Sequence, residues 1–154
     1  NSLGIKNIKQ ADLREYLKNK NNIYDVVFAI DIIEHFPKNE IIEILKLIYY
    51  SLKPDGKLII KTPNGESIFG TRYLYSDFTH EIIFTERSLK EVLSFVGFKN
   101  FKFKEAGPVI HGVKSFIRFV LWKIIRIILK IVILIETGES VNILTQNIIC
   151  CAKK

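Results

Sequence analysis

The side chains able to move a proton or hold a metal fall into two short clusters. The first is Asp31-Ile32-Ile33-Glu34-His35. If a helical turn follows the preceding strand, positions 31, 34 and 35 share one face. Two carboxylates and an imidazole converging there could bind a divalent metal or serve as acid and base. The alternative is that they only hydrogen-bond the loop. The second cluster is Asp77-Phe78-Thr79-His80. A histidine titrates near working pH, so His80 could take the proton from a substrate hydroxyl. Equally, Asp77 and His80 could simply pin a long loop. His111, in Pro-Val-Ile-His-Gly, stands alone and reads as a surface or packing residue.

Other chemistries find no support. There is no Gly-x-Ser-x-Gly and no phosphate-binding Gly-rich loop with Lys-Ser/Thr. The 2 cysteines, Cys150 and Cys151, are adjacent in an apolar strand and point to opposite faces, as packing residues do. They cannot build a disulfide framework, so a reduced, cytoplasmic setting is expected.

The elements that must position these clusters alternate in type. Tyr24–Ile30 is a continuous apolar run of strand length, expected to be covered on both faces. Asn39–Leu52 repeats its apolar residues at helical spacing, Pro54-Asp55-Gly56 reads as a turn, and Lys57–Thr62 as the next strand. Upstream, Ile5–Gln10 reads as a short strand and Asp12–Lys18 as a helix. Downstream, a Gly- and aromatic-rich loop runs from Pro63 to Phe84, and a helix capped by Thr85 ends at Gly97. A strand over Phe98–Lys104, a long helix over Val113–Ile135 and a last strand over Asn142–Ala152 complete the chain. Strand and helix in alternation predict parallel strands joined by right-handed crossovers, hence an α/β sheet. With 154 residues, 48% of them hydrophobic, the chain suffices for one packed domain and is not disordered.

Taken together, Tyr24-Asp25-Val26-Val27, Asp31-Ile32-Ile33-Glu34-His35 and Leu52-Lys53-Pro54-Asp55-Gly56 resemble class I S-adenosylmethionine (SAM)-dependent methyltransferases, from their fourth strand to their fifth. Phe84–Asn100 resembles the family's next helix. The one departure is Asp55, where a first Gly is usual. The resemblance implies a Rossmann-like sheet, mostly parallel with an antiparallel last strand, and SAM as cofactor. It also implies that Asp12 accepts a hydrogen bond from the adenine amino group and that the Leu13 N–H faces the ring. Ile30 would pack on the cofactor and Asp31 shape its pocket. The alternative for Asp12 is a helix cap. The same resemblance puts His80 near the acceptor; with His35 and Asp31 of the first cluster it makes up the candidate catalytic residues. Some relatives use the acidic-x-x-Glu-His pattern for a metal, which would make Asp31, Glu34 and His35 ligands; no metal is the expectation here.

The family's Gly-rich loop and its ribose-binding acid do not occur in this sequence. The chain is therefore expected to be the later two-thirds of the domain, with the N-terminal strands missing and SAM held weakly. Residues 1–62 would form the cofactor side, 63–112 the acceptor side, and 113–154 a basic apolar helix and final strand.

The formal net charge of +7 is local. Lys114, Arg118, Lys123, Arg126 and Lys130 lie in a stretch, Ala106–Ile135, without a single acid, and the other 18 basic residues face 16 acidic ones. The cations ride an apolar helix instead of alternating with stacking aromatics, so no nucleic-acid partner is expected. They also make a membrane span over 114–135 too costly. Two placements remain open: packing on the domain, or peripheral contact with an anionic membrane, with Trp122 near the boundary. The expected activity is methylation, on oxygen, of a small molecule, sugar or lipid-linked acceptor. A non-catalytic binding or membrane-docking module that keeps the fold is the alternative.

Overall fold

The structure is a computed structural model and describes residues 8–154. Its elements are α1 (Leu13–Leu17), β1 (Tyr24–Ile30), α2 (Ile41–Ser51), β2 (Leu52–Pro63), α3 (Gly70–Leu74), α4 (Glu86–Val96), β3 (Lys99–Glu105), α5 (Val113–Thr137) and β4 (Asn147–Lys153). The strands form one sheet in the order β1-β2-β4-β3. β1 and β2 are parallel, whereas β4 runs antiparallel to both β2 and β3. Three strands therefore share a direction and the last in sequence opposes them. This is the Rossmann-like α/β sheet expected. Of the strand expected over Ile5–Gln10, residues 5–7 lie outside the described residues, and 8–10 are not in a strand.

One face of the sheet carries the core. Leu58 and Ile60 of β2 and Ile148 and Cys150 of β4 are fully buried against α2 and α4, which contribute Ile44, Leu45, Ile48, Leu89 and Leu93. The helical repeat of apolar residues in α2 and α4 is what brings these side chains to one side. At α4 the ends are fixed locally. The Ser88 N–H donates to Thr85 Oγ1 (3.1 Å), the Thr85 N–H donates to Ser88 Oγ (2.9 Å), and Gly97 closes the helix at φ 117°.

The other face corrects an expectation. Val26, Phe28 and Ile30 of β1 point to solvent, Phe28 at 66% exposure, so β1 is covered on one face only.

The turn at Pro54–Gly56 is absorbed into β2. Tyr24 pairs with Leu52 and Val26 with Lys57, so the bulge takes up the extra residues. Asp55 sits at φ 65°, a left-handed conformation natural to the Gly it replaces, and its carboxylate pairs with Lys153 at 2.7 Å.

The 63–84 segment is more ordered than its sequence suggested. α3 lies within it, and Asn64 bridges to Phe84 at its base. Asn64, wholly buried, donates through Nδ2 to the Ile143 and Thr145 carbonyls (both 2.9 Å) and accepts the Glu66 N–H (3.1 Å). One amide thus ties the carboxyl end of β2 to the chain entering β4.

Candidate active site

β1 ends at Ile30, and Asp31 then takes φ 50°. Left-handed backbone at a non-Gly residue is uncommon and concentrates at functional sites. It sends the chain into a single 3₁₀ turn, Ile33–His35. The consequence corrects the sequence reading of the first cluster. Asp31 does not converge with Glu34 and His35. Its N–H donates to the Lys61 carbonyl (2.9 Å) and its carboxylate pairs with Lys61 Nζ at 2.6 Å. Glu34 turns inward instead, 1% exposed, and accepts from Thr62 Oγ1 (3.1 Å).

What His35 meets is the second cluster. Asp77 accepts from the Thr79 N–H (2.9 Å) and from Thr79 Oγ1 (2.7 Å). These two bonds, the backbone one first, hold the Asp77 carboxyl below the usual range. Because the Thr79 hydroxyl proton goes to Asp77, its oxygen is left to accept from His35 Nδ1 at 2.9 Å. His80 Nδ1 lies 2.9 Å from the Tyr73 carbonyl, which can only accept. Both imidazoles in their neutral form are therefore protonated on Nδ1 and carry the lone pair on Nε2. The rings are 4.8 Å apart, tilted by 50°. The Glu34 carbonyl accepts from the Glu81 and Ile82 N–H groups (2.9 and 3.2 Å), which clamps the two segments together.

Glu34, His35 and His80 each offer a ligand atom within 4.8 Å of the others. That donor set could close on a divalent cation, and it differs from the Asp31, Glu34, His35 trio read from sequence. Thr79 was missed as a functional residue. A hydroxyl two positions after an aspartate is the signal for such a turn, but only the fold shows what lies beyond it.

Asp12, Leu13 and Ile30 are the remaining expected positions. Asp12 caps α1, accepting from the Arg14 N–H at 2.8 Å, and its carboxylate also bonds the Arg14 guanidinium at 3.3 Å. The guanidinium is the main cause of its lowered pKa. Arg14 reaches on to Glu40 (2.7 Å) at the start of α2, which brings α1 to the carboxyl end of β1. Leu13 opens α1, so its N–H has no partner within the helix. Ile30 is 47% exposed at the same end.

A separate cavity of about 370 Å³ is lined among others by Ser67, Phe69, Pro108, Arg118, Trp122 and Thr145. Trp122 thus faces a cavity of the domain and not the outer boundary. Among the described residues its buried Nε1 has no acceptor. Glu105, salt-bridged to Arg126 at 2.7 Å, likewise leaves its buried Oε1 unpaired.

Residues 3–102 match a family model described as a methyltransferase domain. The chain belongs to this methyltransferase family. Solved structures share its fold. A SAM-dependent methyltransferase from Archaeoglobus fulgidus is 23% identical with a TM-score of 0.66, over 96% of this chain and 67% of that one. A SAM-dependent methyltransferase from Thermotoga maritima is 18% identical with a TM-score of 0.58, over 88% and 58%. Human N-acetylserotonin methyltransferase, solved in complex with SAM, is 14% identical with a TM-score of 0.56, over 95% and 33%. No curated protein matches the chain in sequence. The methyltransferase chain thus spans about two-thirds of the Archaeoglobus protein and less of the other two.

Proposed function

We propose that this methyltransferase domain uses SAM to methylate a hydroxyl of a small molecule, sugar or lipid-linked acceptor. The observation that carries the reading is the His35–His80 pair, with two free Nε2 lone pairs at the carboxyl end of the sheet, where open α/β folds bind ligands.

The residues at that end fit the adenine half of SAM. The Asp12 carboxylate can accept from an amino group, the Leu13 N–H has no helical partner, and Ile30 presents an apolar side chain. When bound, SAM supplies a methyl group on a sulfonium for direct displacement. The protein's contribution is alignment, together with acceptance of the proton that the hydroxyl loses. His80 takes that proton on Nε2 while its Nδ1–H stays on the Tyr73 carbonyl. His35 is held by Thr79 and Asp77, and Asp31, held by Lys61, bounds the cofactor side. The pocket of about 540 Å³ that His80 lines together with Leu74, Tyr75, Asp77, Phe78 and Glu81 receives the acceptor.

The test is incubation with radiolabelled SAM and separate pools of small molecules, extracted lipids, nucleic acid and protein. Label is expected in the small-molecule or lipid pool. Label confined to nucleic acid or protein would overturn the reading.

A further inference from the structure

We propose that α5 docks the domain on an anionic membrane surface, through an apolar stripe that points away from the rest of the protein. The observations are independent of the methyl-transfer site. No residue of this 25-residue helix is buried. Seven side chains are half covered, Ser115, Phe119, Trp122, Arg126, Leu129, Lys130 and Ile133; they recur at helical spacing and mark the side that rests on the domain. Arg126 fixes that side by its ion pair with Glu105, so one cation faces inward.

The opposite side is wholly apolar. From Val113 and Phe116 through Val120, Ile124 and Ile131 to Ile135, eleven aliphatic or aromatic side chains are 40% to 79% exposed. At 100° per residue they fill an arc of about 140° with no charge in it, along a helix about 37 Å long. Lys114 and Lys123 stand at the two edges of that arc, and no acid occurs between Ala106 and Ile135.

Width and charge decide the occupant. Val113, Ile117, Val120, Ile124, Ile127 and Ile131 are spaced alternately by four and three, as a coiled-coil seam would be. A second copy would cover that seam but leave Leu121, Ile128 and Ile135 outside it. It would also bring together two sets of cations with no acid to pair them. A bilayer interface covers the whole arc, and acidic headgroups supply the counter-charge to the flanking lysines. Crossing the bilayer is a different matter. Among the described residues no helix is long and apolar enough for that.

The test is co-sedimentation of the full chain with vesicles of phosphatidylcholine alone, or of equal parts phosphatidylcholine and phosphatidylglycerol. Binding is expected to the mixed vesicles and to fall as salt screens the charge. Lys123→Glu should weaken it roughly thirtyfold, and the double variant Ile124→Asp, Ile131→Asp should abolish it. All three positions are exposed, and circular dichroism verifies that the fold is kept. Absence of binding by the unaltered chain overturns the proposal. So does binding indifferent to both variants, or an unaltered chain that dimerises through the stripe and ignores lipid.

Discussion

The imidazoles of His35 and His80 stand 4.8 Å apart, and each is anchored through Nδ1 to an oxygen of the 73–79 segment. Both Nε2 atoms are thereby freed for a ligand, although the residues come from separate loops. The pair is the chemical centre of the protein as we read it, and it gives the first expectation.

His80→Gln removes the proton acceptor but keeps a polar side chain of similar reach. Methyl transfer to a hydroxyl acceptor should fall by about 10²- to 10⁴-fold in kcat. Binding of S-adenosylhomocysteine should be unchanged. Steady-state kinetics with calorimetry checks both, and an unaltered kcat would assign His80 to holding the loop.

Asp77 makes the loop sensitive to acid. Its folded pKa is lowered by the bonds from Thr79, so the carboxylate stabilises the fold above the ordinary aspartate pKa. That contribution is lost as pH falls through the lowered folded value. Asp77→Asn should therefore be less stable than the unaltered chain at neutral pH, and the gap should close in acid. Urea midpoints across the acid range measure it. A gap that widens as pH falls would contradict the assignment.

Asn64→Ala leaves the Ile143 and Thr145 carbonyls without their donor in a buried site. The expected loss is about 2–3 kcal/mol of unfolding free energy, read from urea denaturation. A change below about 0.5 kcal/mol would mean that the amide is not a structural tie.

The two cysteines should react unequally. Burial pushes the Cys150 thiol up to about 12, whereas Cys151 is only half-buried. The folded protein at mildly alkaline pH should titrate one thiol quickly with a disulfide reagent, and the second only on unfolding. The raised pKa also means that Cys150 favours the fold below its unfolded value of 9.0 and ceases to do so as pH rises through the folded one. Rapid modification of both thiols would contradict the burial of Cys150.

The sequence made the order of elements readable because each core helix repeats its apolar residues at helical spacing. Thr85 and Gly97 mark the ends of α4 by capping chemistry alone. The site was only half legible. Asp31, Glu34 and His35 were expected on one face, but the left-handed turn at Asp31 rotates its carboxylate towards Lys61. An aspartate tolerates that φ better than most residues, as Asn22, Asp55 and Asn100 do here, but residue type alone does not say which of them adopts it. The partnership of His35 with His80 depends on how a long loop folds back, through the Glu34 carbonyl and the Thr79 hydroxyl. For α5 the pattern revealed which arc is apolar but not which way it points. The direction is decided by one long-range pair, Arg126 with Glu105.

The most direct measurement is a titration of the isotopically labelled chain with S-adenosylhomocysteine, followed by amide chemical shifts. Even weak binding reports its location. The amides of Asp12, Leu13, Ile30 and Asp31 are expected to shift together and saturate on one curve. Shifts confined to residues away from the carboxyl end of β1, or none in the folded chain at any attainable concentration, would contradict the assignment of a cofactor site there.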